Sequence, residues 1–157
     1  MAPEVMQCLV GRLPPVRHAV LSGYTRHPVI GFVFPGIVLA KTPNPQQVAG
    51  LLYSDLTDYE LEIMDWFEDV EYTRMDVKVS LQPPEPPVTG TTEDPKDTTT
   101  GRQVPTQVYV WTNPKEELDL TQEWDYERFC RENLAEYLLR TVEPSRLAFE
   151  RQRHKQK

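Results

Sequence analysis

The chain has 157 residues, 39 per cent of them hydrophobic, with 15 prolines against 7 glycines, which is enough for one domain with a real core and too little for two ordinary ones. Its 24 acids against 17 bases give a formal net charge of −7, which argues against a nucleic-acid surface, because phosphate binding needs a clustered basic face. No apolar run approaches the roughly eighteen residues of a membrane span, and Cys8 and Cys130 lie too far apart in sequence for a metal motif or a disulfide framework, so no membrane association and a cytoplasmic location are expected.

In chain order the first expected element is a short helix: Pro3 and Glu4 suit a first turn, VMQCLV can dock, and Gly11 suits the position just past the end. From His18 to Ala40 the run HAVLSGYTRHPVIGFVFPGIVLA is rich in Val, Ile, Phe and Tyr with Gly and Pro punctuation, which predicts extended segments joined by tight turns. Val48 to Leu56 reads likewise, with Gly50 marking a bulge or a close backbone approach. Thr57 followed by Glu60 forms a capping box, so a helix should start at Thr57 with Tyr59, Ile63, Phe67 and Val70 on its core stripe. From Tyr72 the period changes to two: Met75, Val77, Val79 and Leu81 face one way, and Tyr72, Arg74, Asp76 and Lys78 the other. Gln82 to Pro105, rich in proline and threonine, is expected to be a disordered insertion between two strands, the second running from Thr106 to Trp111. An amphipathic helix, WDYERFCRENLAEYLLR, should then bury Tyr126, Phe129, Cys130, Leu134 and Tyr137 and end at Glu143-Pro144. Residues 1–142 make one domain on this reading, and 143–157 a basic tail whose last stretch, RQRHKQK, frays. The class is α+β, with a mixed or antiparallel sheet able to curl into a small barrel.

The strong chemical motifs are absent. There is no H-E-x-x-H, C-x-x-C or G-x-S-x-G, and the glycines at Gly31 and Gly36 are followed by Ile37 and Val38 where a phosphate loop needs Lys and Ser/Thr. His18, His27 and His154 lack ligand or triad spacing and read as ordinary surface or hydrogen-bonded residues. What remains is the acidic helix-to-strand junction, with Glu60, Glu62, Asp65, Glu68, Asp69 and Glu71. Counting about 100° per residue, Glu68 lies about 140° from the core stripe, on the side of Leu61, Met64 and Asp65. Two readings stay open: a solvated face, or a carboxylate partly desolvated beside Leu61 and Met64, with a raised pKa and more strength as a base. Tyr72 and Arg74, projecting from one face of the strand that begins there, are within its reach.

At this junction the residues carry a resemblance. GYTRHPVIGFVFPGIV, VAGLLYSDLTDYELEIMDWFEDVEYTRMDVKVSL and VYVWTNP resemble the plant avirulence-induced-gene-like proteins of the γ-glutamylcyclotransferase-like superfamily, over most of the chain to about Leu138. The segment IMDWFEDVEYTR carries the most specific part of the likeness. The resemblance implies a small β-barrel with a cavity and a γ-glutamyl compound as small-molecule substrate. Glu68 would be the general base that takes a proton from the α-ammonium, so that the freed amine attacks its own side-chain amide. The products are 5-oxoproline and an amine, and the scheme needs no cofactor or metal. The family's Tyr-Gly-Thr/Ser-Leu strand and loop, whose amides hold the glutamyl group, would lie before Met1, so the chain is expected to be a shortened form. The alternative expectation is a non-catalytic binding or regulatory module on the same barrel.

Overall fold

Thr57 starts the central helix as its sequence requires. Its hydroxyl accepts from the Glu60 N–H (3.2 Å), and the Glu60 carboxylate accepts in return from the Thr57 N–H (2.8 Å), which satisfies two donors that a helix start would otherwise leave bare. The computed structural model describes residues 1–41, 46–83 and 101–155. In chain order these form α1 (Pro3–Val10), β1 (Val16–Ser22), β2 (Tyr24–Pro28), β3 (Pro35–Leu39), β4 (Gln47–Tyr53), α2 (Asp58–Glu68), β5 (Tyr72–Leu81), β6 (Gln103–Trp111), α3 (Tyr126–Glu132), α4 (Leu134–Tyr137) and α5 (Glu143–Lys155).

The class is α+β and the strands pair antiparallel. Four strands run in the order β4-β1-β5-β6, and β2 and β3 make a separate hairpin sheet. The hairpin lies with β3 beside β6 and β2 beside β4, and among the described residues no hydrogen-bonded ladder joins the two sheets. Glycine makes one of these approaches possible: a Cβ at Gly36 would lie 2.8 Å from Leu118 Cδ2 and 3.1 Å from Trp111 Cβ, closer than side-chain carbons tolerate. The expected bulge or close approach at Gly50 is not found. Gly50, itself exposed, pairs in unbroken register with Ala19, and a Cβ there would meet nothing within 4 Å.

The core falls into a helical part, with Val5, Met6, Leu9, Ile63, Met64 and Val142, a sheet part, with Ala19, Leu21, Val48, Val79 and Leu81, and a smaller group of Val29, Val38, Trp111 and Leu118. On α2 the buried face is turned from the expected stripe. Ile63 and Phe67 do pack inward, but Glu60 and Met64 are buried, while Tyr59 and Val70 are exposed. The turn has a nonlocal cause: Arg12 holds the Glu60 carboxylate through Nε and Nη2, the latter at 2.7 Å, and also donates to the Asp55 carbonyl. The paired acid is thereby drawn inward.

Strand β5 also departs from strict alternation. Val79 and Leu81 are buried as expected, but Met75 is exposed, and Tyr72 and Arg74 are half-buried on the opposite face. The register with β6 is unbroken from Tyr72↔Trp111 to Ser80↔Gln103. One strand therefore serves two cores, its Val79 end the sheet interior and its Tyr72 end the group of Val29, Val38, Trp111 and Leu118. Strand β6 begins at Gln103, inside the stretch expected to be an insertion; the remainder of that expectation, residues 84–100, lies outside the described residues.

The C-terminal helix does not stop at Glu143-Pro144. A wide turn of π type spans Leu138–Val142 and α5 continues to Lys155. Pro144 is tolerated because it falls in the first turn after that irregularity, where its missing N–H is least costly. Nor is RQRHKQK frayed through Lys155: Arg153 pairs with Glu62 and lies over the Tyr59 ring, 4.8 Å from its centroid. Gly11 ends α1 in the left-handed conformation as expected (φ 86°). Arg146 then donates to the Cys8 carbonyl at 3.1 Å, satisfying one of the acceptors that the helix end leaves unpaired.

Candidate active site

Glu68 is the last residue of α2, and the chain turns sharply after it. Asp69 has φ 50° and ψ −155°, a backbone conformation that costs a non-glycine residue of order 1–3 kcal/mol. Its N–H donates to the Asp65 carbonyl, and its own Oδ1 accepts from the Val70 N–H at 2.8 Å. A short 3-10 turn, Asp69–Glu71, then leads into β5 at Tyr72. The strained turn fixes where α2 ends, and so where Glu68 points.

Because Glu60 and Met64 belong to the buried face while Tyr59 and Val70 do not, the centre of that face lies about 50° closer to Glu68 than the expected stripe of Tyr59, Ile63, Phe67 and Val70 implies. Glu68 is therefore an edge residue of the core. Loss of water contact pushes its pKa up to about 7, the α-ammonium of Met1 acts against that shift, and Glu71 adds to it. Three phenols feel its charge. Burial followed by the field of Glu68 raises Tyr72 and Tyr137; Tyr109 is raised by burial, by its bond to Asp65 and, more weakly, by Glu68.

The geometry brings Tyr72 and Arg74 to this region and also commits parts of them. Tyr72 donates its hydroxyl to the Pro35 carbonyl at 2.9 Å and meets Trp111 edge-on. Arg74 pairs with Asp65 at 3.4 Å, while its Nη1 is buried without an acceptor. Tyr109 donates to the same Asp65 at 2.6 Å. Tyr137 packs edge-on against Phe67 and Phe129, with centroids at 6.5 and 5.5 Å, so the residue before Glu68 belongs to an aromatic cluster.

Several of these residues were not legible as site residues. Tyr109 and Tyr137 read as ordinary strand and helix aromatics, and Arg26 on β2 read as one polar position among extended residues. A cleft of about 370 Å³ is lined by Arg26, His27, Gln47 and residues 120–123, and a second of about 210 Å³ by Cys8, Arg146 and neighbours on α5; neither is lined by Glu68. His27 is hydrogen-bonded as expected, Nδ1 donating to the Gln122 carbonyl at 2.8 Å and Nε2 meeting the Thr25 hydroxyl at 2.9 Å. Among the described residues no group of His, Cys, Asp and Glu is arranged to hold a metal ion, and no helix is long and apolar enough to cross a membrane.

A family model described as gamma-glutamyl cyclotransferase, AIG2-like, matches residues 1–128. The chain belongs to this family. Among its AIG2-like relatives in Arabidopsis thaliana, AIG2-like protein C is 34% identical over 88% of this chain and 69% of its own length, and AIG2-like protein D 33% identical over 91% and 82%. Two solution structures of Arabidopsis thaliana proteins share the fold, with TM-scores of 0.57 and 0.56 at 23% and 24% identity, each covering 88% of this chain and 72% and 79% of its own.

Proposed function

We propose that the chain is a γ-glutamylcyclotransferase-type acyltransferase that converts a γ-glutamyl amine or peptide into 5-oxoproline and a free amine, with Glu68 as general base. The observation that carries the reading is the Glu68 carboxyl, raised to about 7 by burial at the α2–β5 junction of a chain that belongs to the gamma-glutamyl cyclotransferase, AIG2-like family. A base whose pKa sits near neutral pH is ionised often enough to act and basic enough to take a proton from an ammonium.

In the proposed reaction Glu68 removes a proton from the substrate's α-ammonium. The freed nitrogen attacks the side-chain amide carbonyl and gives up a second proton as the lactam forms, the C–N bond to the leaving amine breaks, and both protons depart on that amine as an ammonium, with Glu68 as the relay. Ring closure is intramolecular, so holding the substrate folded supplies most of the entropic term, and one positioned base contributes about 10² to 10⁴-fold. Tyr72 and Arg74 are proposed to line the substrate space, Arg74 through the Nη1 that has no acceptor. The test is incubation of the protein with a panel of γ-glutamyl amines and dipeptides, with 5-oxoproline measured. Product from at least one substrate, lost in Glu68→Gln, supports the reading; no product from any member of the panel overturns it.

One observation favours a second reading, a binding module without turnover: neither of the clefts described above is lined by Glu68. Saturable binding of a γ-glutamyl compound with no 5-oxoproline formed would select it.

A further inference from the structure

Between β2 and β3 the chain reads Val29-Ile30-Gly31-Phe32-Val33-Phe34, and in this turn Ile30 is 59%, Phe32 60% and Val33 38% exposed. A lone apolar side chain in water needs no explanation, whereas several together mark a contact surface. The turn is held so that it cannot fold inward and hide them. The Val29 N–H donates to the Phe34 carbonyl at 3.2 Å, that of Phe32 to the Val29 carbonyl at 3.1 Å, and that of Ile30 to the Glu117 carbonyl at 2.8 Å, while the Trp124 indole N–H donates to the Val33 carbonyl at 2.9 Å. Trp124 is fixed in turn: its backbone N–H donates to the Arg26 carbonyl at 3.0 Å, and its ring packs on Phe129 at 5.2 Å and under the guanidinium of Arg26, whose Nε is buried. Below, Val29 and Phe34 belong to the group around Trp111, so the turn is anchored from the inside with its apolar side out.

The neighbouring segment sets the charge of what can cover this surface. Val29 forms an antiparallel bridge with Leu118, and both side chains are buried. Ile30 and Glu117, the next pair along, therefore project together on the opposite, outward face. From Lys115 to Glu123 four acids, Glu116, Glu117, Asp119 and Glu123, stand against Lys115 alone, and Leu120, 40% exposed, adds an apolar side chain to the same segment. Acids on its border turn the patch away from an anionic lipid surface, and a second copy would set acid against acid. What fits is a partner that brings apolar side chains and cations together. An amphipathic helix with Lys or Arg along the edge of its apolar stripe does this in one element, the stems of those side chains adding to the apolar contact. Because the turn is already ordered, docking costs little conformational freedom on this side.

We infer that the turn at residues 30–33 docks a basic amphipathic helix of a partner protein, with Ile30 and Phe32 against its apolar stripe and Glu116 and Glu117 meeting its cations. The inference uses none of Glu68, Tyr72 and Arg74 and is independent of the cyclisation reading.

The probe is a synthetic helical peptide with one leucine face and one lysine face, set against the same peptide with glutamate in place of lysine, each titrated by calorimetry into the full chain at low and at physiological salt. Wild type should bind the lysine peptide at least about tenfold more tightly than the glutamate peptide, and the more so at low salt. Ile30→Ser and Phe32→Ser should each weaken that binding about tenfold or more, and Glu116→Gln combined with Glu117→Gln should flatten its salt dependence. All four side chains are exposed, so thermal melts should show intact folds; where one serine variant fails to fold, the other carries the comparison. The inference is overturned if wild type binds neither peptide or both alike, or if either set of folded variants behaves as wild type. A dimer in sedimentation that Phe32→Ser disperses would overturn it by giving the turn to a second copy, and binding to anionic vesicles that Phe32→Ser abolishes would overturn it by giving the turn to a membrane.

Discussion

Tyr109 donates a 2.6 Å hydrogen bond to Asp65, one helical turn before Glu68. With Arg74 on the other carboxylate oxygen of Asp65, that acid is occupied by donors, while Glu68 takes the desolvation. Two acids three positions apart on one helix are thus given different environments.

Replacing Glu68, the proposed base, should lower activity and raise stability together. Glu68 ionises near its ordinary value of 4.5 when unfolded and near about 7 when folded, so the folded state loses stability as pH rises through that interval. Glu68→Gln removes the loss. Turnover should fall at least about 10²-fold, while stability at pH 8 rises by up to about 3 kcal/mol and is nearly unchanged at pH 4. Urea melts at the two pH values read the difference, and equal activity in the variant would refute the role of Glu68.

Glu71 offers a gentler handle, because its negative charge is one of the influences that raise Glu68. In wild type kcat/KM should rise with pH through an inflection near about 7 as Glu68 becomes ionised. Glu71→Gln should move that inflection to lower pH without abolishing turnover. An unmoved profile would mean that another group sets it.

The buried Glu60 should behave in the opposite sense. Its hydrogen bond from Arg12 holds its pKa down at about 2, so the pair's contribution is fully present above the ordinary carboxylate value of 4.5 and is lost as pH falls towards 2. Glu60→Gln should cost about 1–3 kcal/mol at pH 7 and much less at pH 2.5, measured by thermal melts.

Gly36→Ala should separate the hairpin sheet from β6. The added methyl would meet Leu118 Cδ2 at 2.8 Å and Trp111 at 3.1 Å, and overpacking of this kind costs about 1–3 kcal/mol. Trp111 fluorescence should change with it, whereas Gly50→Ala, with open space around it, should do neither.

How much of this was legible follows the range of each interaction. Thr57 and Glu60 announced the start of α2 because a capping box is written within four residues, and Gly11 announced the end of α1 for the same reason. The two phases of Tyr72 to Leu81 were legible, but the change of buried face along β5 was not, since it depends on which core each end of the strand meets. Glu60 read as a capping residue only, and its burial was not legible because its partner Arg12 is 48 positions away. Arg26 gave no signal at all: a guanidinium in a strand looks the same whether its Nε meets water or the inside of the protein.

The attachment of α5 bears on the order in which the molecule can be made. Val142, with 0% exposure, shares a core with Met6 and Leu9, and Arg146 reaches the Cys8 carbonyl across 138 positions of sequence. During synthesis α1 therefore leaves the ribosome long before the side chains that cover it exist. The sheet and its hairpins can form while translation proceeds, but the helical core waits for the far end of the chain, a long-range closure of the kind that slows folding and leaves apolar surface open meanwhile.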